Sequence, residues 1–172
     1  MPEYCRVTDF DRGTLCALLR DAYSFHPECE RHWGAQWREF DDFFYDNPRI
    51  ADTCGFFSVL NGTPIGFVSW DPRNLPAHVI MGHNCIATAY KGKGYGRAQM
   101  REAVRRIGVR ADRILVTTNA LMTPAQRTYE SAGFVFQRRR PNAEDAFSGD
   151  YLDYAWARRN GDATEEKIQT GD

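Results

Sequence analysis

"YKGKGYGRAQM", residues 90–100, decides how this chain is read. Gly92, Gly94 and Gly96 alternate with Lys91, Lys93, Tyr95 and Arg97, between an apolar strand-like run and an amphipathic helical one. Glycine at alternate positions lets another molecule approach the backbone and permits positive φ. The first amides of a helix have no partner within it, and the macrodipole is positive there. Open amides, with Lys91, Lys93 and Arg97 at the rim, make a cradle for a phosphate or pyrophosphate.

Working outward, "AHVIMGHNCI" before this segment reads as a strand. Its alternation puts Val79, Met81, His83 and Cys85 on one face and Ile80, Gly82, Asn84 and Ile86 on the other. Both faces are fairly apolar, so the strand is placed centrally. After the segment, Met100, Ala103, Val104 and Ile107 follow helical spacing, with Gly108 as the expected C-cap. "RILVTT" is the next strand, and strand, helix, strand predicts a parallel pair joined by a right-handed crossover. "TPAQ" opens another helix, with Thr123 at the N-cap, Pro124 first in the helix and Gln126 closing a capping box; Gly133 ends it.

On the N-terminal side, "GFFSVLNG" and "TPIGFVSW" flank Asn61-Gly62 and predict a hairpin. A first strand is expected over Cys5–Val7 and a helix from Asp9 to Ala22. A second helix is expected over Glu30–Tyr45, with an aromatic stripe of Trp33, Trp37, Phe40 and Phe44. "FVFQR" and "YLDYAWA" are the last strands, joined by a polar loop from Pro141 to Gly149.

The 172 residues are expected to form one domain over 1–157, with a flexible tail over 158–172. Lys plus Arg number 22 against 23 Asp plus Glu, so no global charge calls for nucleic acid or an anionic membrane. Five cysteines fall in no metal-binding spacing, and no metal is expected. No signal peptide or membrane span is read, which places a protein with reduced thiols in the cytoplasm.

Which phosphate ligand the cradle takes is narrowed by spacing. No Gly-Lys-Ser or Gly-Lys-Thr occurs, so the Walker pattern is absent, and GxGxxG fails because Gln99 stands where its third glycine would. What does match is basic-x-x-Gly-x-Gly, Lys91 to Gly96, followed in order by "AQRTYESAGF", with Tyr129 four residues before Gly133. On these two pieces the sequence resembles the GNAT superfamily of N-acetyltransferases over about Cys54 to Phe136.

The resemblance implies a GNAT-like mixed α/β fold. Its central twisted sheet has six to seven strands, mainly antiparallel with one splayed parallel pair, flanked by about four helices. It implies acetyl-CoA as acyl donor, an amine as acceptor, and direct transfer without an acyl-enzyme. The backbone of Cys85, Ile86 and Ala87 would meet the thioester end, and Lys91, Gly92, Lys93, Gly94, Tyr95, Gly96 and Arg97 the pyrophosphate. Ala125 would line the cofactor, with Asn119 or Thr118 standing in for a family Asn where this chain has Met122. Tyr129 matches the family's general acid.

The family's strand carboxylate has no counterpart here. His83 and Glu28 are the leading base candidates, beside Glu30, His26 and His32, and a Cys85-His83 nucleophile is the outlying alternative. The acceptor stays open between a small amine, an aminoglycoside and a peptide, with Glu28, Glu30, Asp41 and Asp42 favouring a cation. Two rivals are kept, a non-catalytic acyl-CoA-binding sensor or regulatory module and a nucleotide-binding protein unrelated to CoA. Monomer and homodimer are both open.

Overall fold

The computed structural model describes residues 1–143 and 148–158. Strand β1 (Glu3–Cys5) and a 3-10 turn at Val7–Asp9 lead into helices α1 (Thr14–Ala22), α2 (Pro27–Asp46) and α3 (Pro48–Cys54). Strands β2 (Gly55–Leu60), β3 (Thr63–Asp71) and β4 (Val79–Ile86) come next, then α4 (Tyr95–Gly108) and β5 (Arg113–Asn119). Helix α5 (Thr123–Ser131), β6 (Val135–Arg140) and β7 (Tyr151–Ala157) complete the order. One seven-stranded sheet runs β1-β2-β3-β4-β5-β7-β6. Only β4 and β5 are parallel, and they pair through Val79 and Ile80 alone before parting. This is the expected mixed sheet with its splayed pair, though with five α-helices.

The hairpin forms where expected, because Asn61 (φ 50°) and Gly62 (φ 76°) both take the left-handed conformation its short turn needs. Apolar side chains then divide between the sheet's faces. Phe57, Phe67 and Cys85 pack with Leu15, Leu19, Trp37 and Phe44 under α1 and α2. Phe56, Val68, Val79 and Met81 pack with Met100, Ile107 and Tyr129 under α4 and α5.

Several expectations are corrected. Val79 and Cys85 lie on opposite faces, because the β3–β4 register slips by one residue between the pairs Val68↔Asn84 and Trp70↔Met81. The extra residue, at Gly82–His83, is a bulge that reverses the alternation. Strand β1 ends at Cys5 and α1 starts at Thr14, not at Asp9. Asp9 is taken by the backbone N–H and guanidinium of Arg6. The cap of α1 comes from Asp41 of α2, which accepts from Gly13 N (2.8 Å) and Cys16 N (3.1 Å). Helix α2 starts three residues early, because Pro27 fits the first helical position and the His26 ring accepts from Glu28 N. Pro48 ends the aromatic helix and also begins α3, which the sequence reading lacked.

Gly108 lies inside α4 and not at its cap; a Cβ there would come 2.9 Å from the Trp156 ring. Met122, not Thr123, is the N-cap of α5. No capping box forms, because Gln126 donates back to Asn119 O (3.2 Å) and Ala120 O (3.0 Å). Of the tail expected over 158–172, residues 159–172 lie outside the described residues; its first residue, Arg158, donates from its backbone to Asp112 O and from Nε to Gly108 O.

Candidate active site

Past Ile80 the strands β4 and β5 diverge, and the sheet opens at their carboxyl ends. Ala87 N–H donates to Ile65 O (2.8 Å) on β3. Amides along a strand alternate between its two neighbours, so the Ile86 N–H points the other way, into the gap. Ala87, expected to offer its amide to a cofactor, has therefore spent it on the sheet. Cys85 has its side chain in the α1–α2 core, and burial pushes its thiol up to about 12. A thiol so protonated and enclosed is no nucleophile.

From the gap a cleft of about 540 Å³ runs along the glycine segment, lined by Asn84, Cys85, Ile86, Tyr90, Lys91, Gly92, Gly94, Gly96, Arg97 and, at the start of α5, Pro124, Ala125, Arg127 and Thr128. Gly92 (φ 74°) and Gly94 (φ 89°) are left-handed, the region that favours glycine. Gly94 caps α4. The first helical bond is donated by Ala98 to Gly94 O (3.1 Å), so the amides of Tyr95, Gly96 and Arg97 precede the ladder and have no helical carbonyl to meet. Gly96 leaves the cleft wall bare, and a Cβ there would stand 3.5 Å from Ile86.

The cations divide. Arg97 and Arg127 line the cleft. Lys91 also lines it, yet its Nζ donates to Ala22 O and sits 5.0 Å over the Phe25 ring, and burial lowers its pKa. Lys93 turns back to Ala89 O (2.8 Å) over the Tyr90 ring and does not line the cleft, nor does Tyr95, which packs edge-on to Tyr90.

A second cavity of about 210 Å³ meets the cleft at Asn84 and Ala125. Its walls are drawn from Tyr23, Trp33, His83, Thr117 to Asn119, Met122, Tyr129 and Tyr151. Tyr129 is 5% exposed, and burial raises its phenol while the Asn84 side chain beside it acts in the opposite sense. His83 packs against Phe40 of α2, and burial lowers its imidazole to about 4. Asn119 reaches this second cavity and not the cleft, with its amide bonded to Gly149 O (2.6 Å) and Leu121 N (2.9 Å).

Glu28 does not line either cavity and pairs with Arg31 on the first turn of α2. The acidic residues expected to favour a cation are likewise committed. Glu30 pairs with Arg20, Asp42 with Arg12, and Asp41 caps α1. The aromatic stripe of α2 serves two ends, for Trp37 and Phe44 are core while Trp33 faces the cavity. Arg138 and Arg140 pair with Asp153, and Arg139 with Asp150, along the edge formed by β6.

Asn84 at the junction, and Gln99 bonded to it from behind, escaped the sequence reading. Asn84 was placed on a strand face without a role, although it is polar among Ile80 and Ile86. Gln99, one turn before Ala103 and two before Ile107 in the apolar stripe of α4, is fully buried. A polar residue at a core position was the available signal for both.

A model of the "Acetyltransferase (GNAT) family" matches residues 15–134. Among curated proteins, none matches this sequence. A solved GNAT-family protein from Desulfovibrio desulfuricans superposes with TM-score 0.73 at 18% identity, covering 91% of this chain and 99% of that one. The ribosomal-protein-S18-alanine N-acetyltransferase of Escherichia coli superposes with TM-score 0.69 at 18% identity, covering 94% and 97%. A streptothricin acetyltransferase homologue from Bacillus anthracis, solved with acetyl coenzyme A, gives 0.53 at 16% identity over 61% and 62%. At such identities the likeness is one of fold.

Proposed function

Because the chain belongs to the acetyltransferase (GNAT) family, we propose that it moves the acetyl group of acetyl-CoA directly onto a primary amine. One observation carries this reading: the glycine-lined cleft and the aromatic cavity meet at Asn84 and Ala125, in the gap between β4 and β5. A thioester delivered along the first would meet an amine held in the second.

The pyrophosphate sits on the amides of Gly94 to Arg97, with Arg97 and Arg127 as counter-charge. The carbonyl oxygen faces the Ile86 N–H, which strengthens its hold as negative charge develops there. The amine nitrogen forms the new C–N bond, the C–S bond breaks, and sulfur departs with its electron pair as a thiolate. Tyr129 gives that thiolate its hydroxyl proton. His83 accepts a proton from nitrogen and returns one through solvent to the Tyr129 phenolate, so the products are the amide and free CoA.

His83 is neutral at every pH above about 4. It is therefore open as an acceptor, and its weak basicity confines it to the acidic N–H of the positively charged adduct. Glu28, paired with Arg31 away from the cavity, is not assigned the proton. Among the described residues that line the acceptor cavity none is a carboxylate. Tyr23, Trp33 and Tyr151 supply aromatic walls to the cavity that would receive the amine.

The test is thiol release from acetyl-CoA with spermidine, kanamycin and an Ala-terminated hexapeptide, comparing wild type with Tyr129→Phe. The proposal expects release with at least one amine and a lower kcat in the variant at unchanged acetyl-CoA affinity. Tight binding with no release from any of them would favour an acyl-CoA-binding module instead.

A further inference from the structure

Three buried polar side chains lead from the middle of the sheet to Tyr129. Gln99 is 0% exposed on the α4 face that packs on the sheet. Its Oε1 accepts from Ser58 Oγ (2.7 Å). Its Nε2 faces Phe67 O (3.0 Å), Cys85 O (3.2 Å) and Asn84 Oδ1 (2.8 Å). Backbone carbonyls only accept, so the Gln99 atom they surround must be the nitrogen, and its amide can take one orientation. Gly66 clears the space, since a Cβ there would stand 2.5 Å from Gln99 Oε1.

The orientation propagates. Asn84 turns its oxygen to the Gln99 donor (2.8 Å), which leaves its Nδ2 for another acceptor, and Tyr129 lines the same cavity wall. An N–H donated to a phenol occupies the oxygen's lone pair and leaves the O–H free to point elsewhere. Were the Asn84 amide reversed, Tyr129 would donate its proton to Asn84 and have none to offer the cleft.

We propose that Gln99 and Asn84 are positioning residues, and that Ser58→Gln99→Asn84→Tyr129 is a directed hydrogen-bond chain that turns the Tyr129 proton toward the departing sulfur. This rests on the reading of Tyr129 as proton donor. Apolar side chains at positions 58 and 99 would fill the same space without desolvating amides, so the polar chain needs a reason other than packing. Fixed proton direction supplies one. It also stabilises the phenolate left after transfer, because the Asn84 N–H donates to that charge.

The groups around Tyr129 that bear on its titration are Tyr23 after α1, His83 of β4, and Tyr151 and Tyr154 of β7, the last bonded to Glu130. His83 is neutral above about 4, and Tyr23 and Tyr154 are raised by burial. A shift in the Tyr129 titration on changing position 99 therefore reports the chain.

The experiment uses full-length protein labelled with tyrosine carrying ¹³C at Cζ, with the Tyr129 resonance assigned by its absence in Tyr129→Phe. Gln99→Leu and Asn84→Leu are expected to move the titration of Tyr129 upward by about one pH unit, a tenfold change in its acid constant. Ser58→Ala should move it in the same direction by less, and it carries the test if Gln99→Leu fails to fold. For Gln99→Leu and Ser58→Ala, calorimetric affinity for acetyl-CoA should stay within about twofold of wild type, because neither residue lines the cleft. An unmoved Tyr129 titration in the Ser58 and Asn84 variants would overturn the chain while leaving the proton-donor reading intact. Full turnover by Tyr129→Phe with the responsive amine would overturn both.

Discussion

His83 and Phe40 meet edge to face with ring centroids 4.6 Å apart. That contact, made by a bulged strand against the aromatic helix, helps to half-bury the imidazole at the cavity wall, and burial lowers its pKa to about 4. An ordinary histidine in the unfolded chain protonates near pH 6.5, before the folded one does. The unfolded state therefore binds the proton first, and stability must fall as pH drops from about 6.5 toward 4. Between pH 6.5 and 5 the loss expected from His83 is about 2 kcal/mol. His83→Phe, which keeps an aromatic ring and cannot titrate, should flatten that part of a melting-temperature profile. Glu102, held at about 2 by Arg105 and Arg106, gives stability that is lost only as pH falls below its ordinary value. An equal slope in variant and wild type above pH 5 would contradict the account.

The charges on the cleft should be unequal. Arg97 lines it, whereas Lys93 Nζ rests on Ala89 O. Arg97→Ala is expected to weaken acetyl-CoA binding about three- to tenfold, an effect that shrinks as salt rises, and Lys93→Ala to leave it nearly unchanged. Titrations at two ionic strengths check both halves.

Asp41 is 3% exposed and caps α1 from α2. Asp41→Ala leaves the Gly13 and Cys16 amides without their acceptor and should cost about 2 kcal/mol. For a chain of this length that is a fall of roughly 6 °C in Tm. Asp41→Asn, which keeps an acceptor, should lose less.

Backbone conformation and open wall make separable demands in the glycine segment. Gly94→Val places a branched side chain at φ 89°, and Gly96→Val adds volume on the cleft side of α4 where a Cβ meets no backbone. Both should abolish acetyl-CoA binding, but only Gly94→Val should also lower Tm measurably. Circular dichroism melts beside calorimetry distinguish the two effects.

What the sequence made legible was local. Asn61-Gly62 fixes its hairpin through its own dihedral angles, and the crossover from β4 to β5 follows from segment order. The left-handed glycines and the open amides at the start of α4 were legible because neighbouring residues and their helix supply that geometry. What stayed hidden depends on pairing at a distance. The bulge at Gly82–His83 exists only against β3, and without it the face assignments of Val79 and Cys85 come out wrong. The Asp41 cap acts across 28 residues and the Ser58–Gln99 bond across 41, beyond any periodicity. The second cavity draws walls from Tyr23 just after α1 and from α2, β4, β5, α5 and β7, so a list of polar residues near one motif could not outline it. Lys93 shows the converse error, for proximity in sequence to the glycines did not place its charge in the cleft.

The most direct test is a calorimetric titration of the folded protein with acetyl-CoA, run beside Gly96→Val. The account predicts saturable binding at one site per chain in the wild type and no heat in a variant that melts at the same temperature. Silence from well-folded wild-type protein with acetyl-CoA in large excess, or undiminished binding by Gly96→Val, would contradict it.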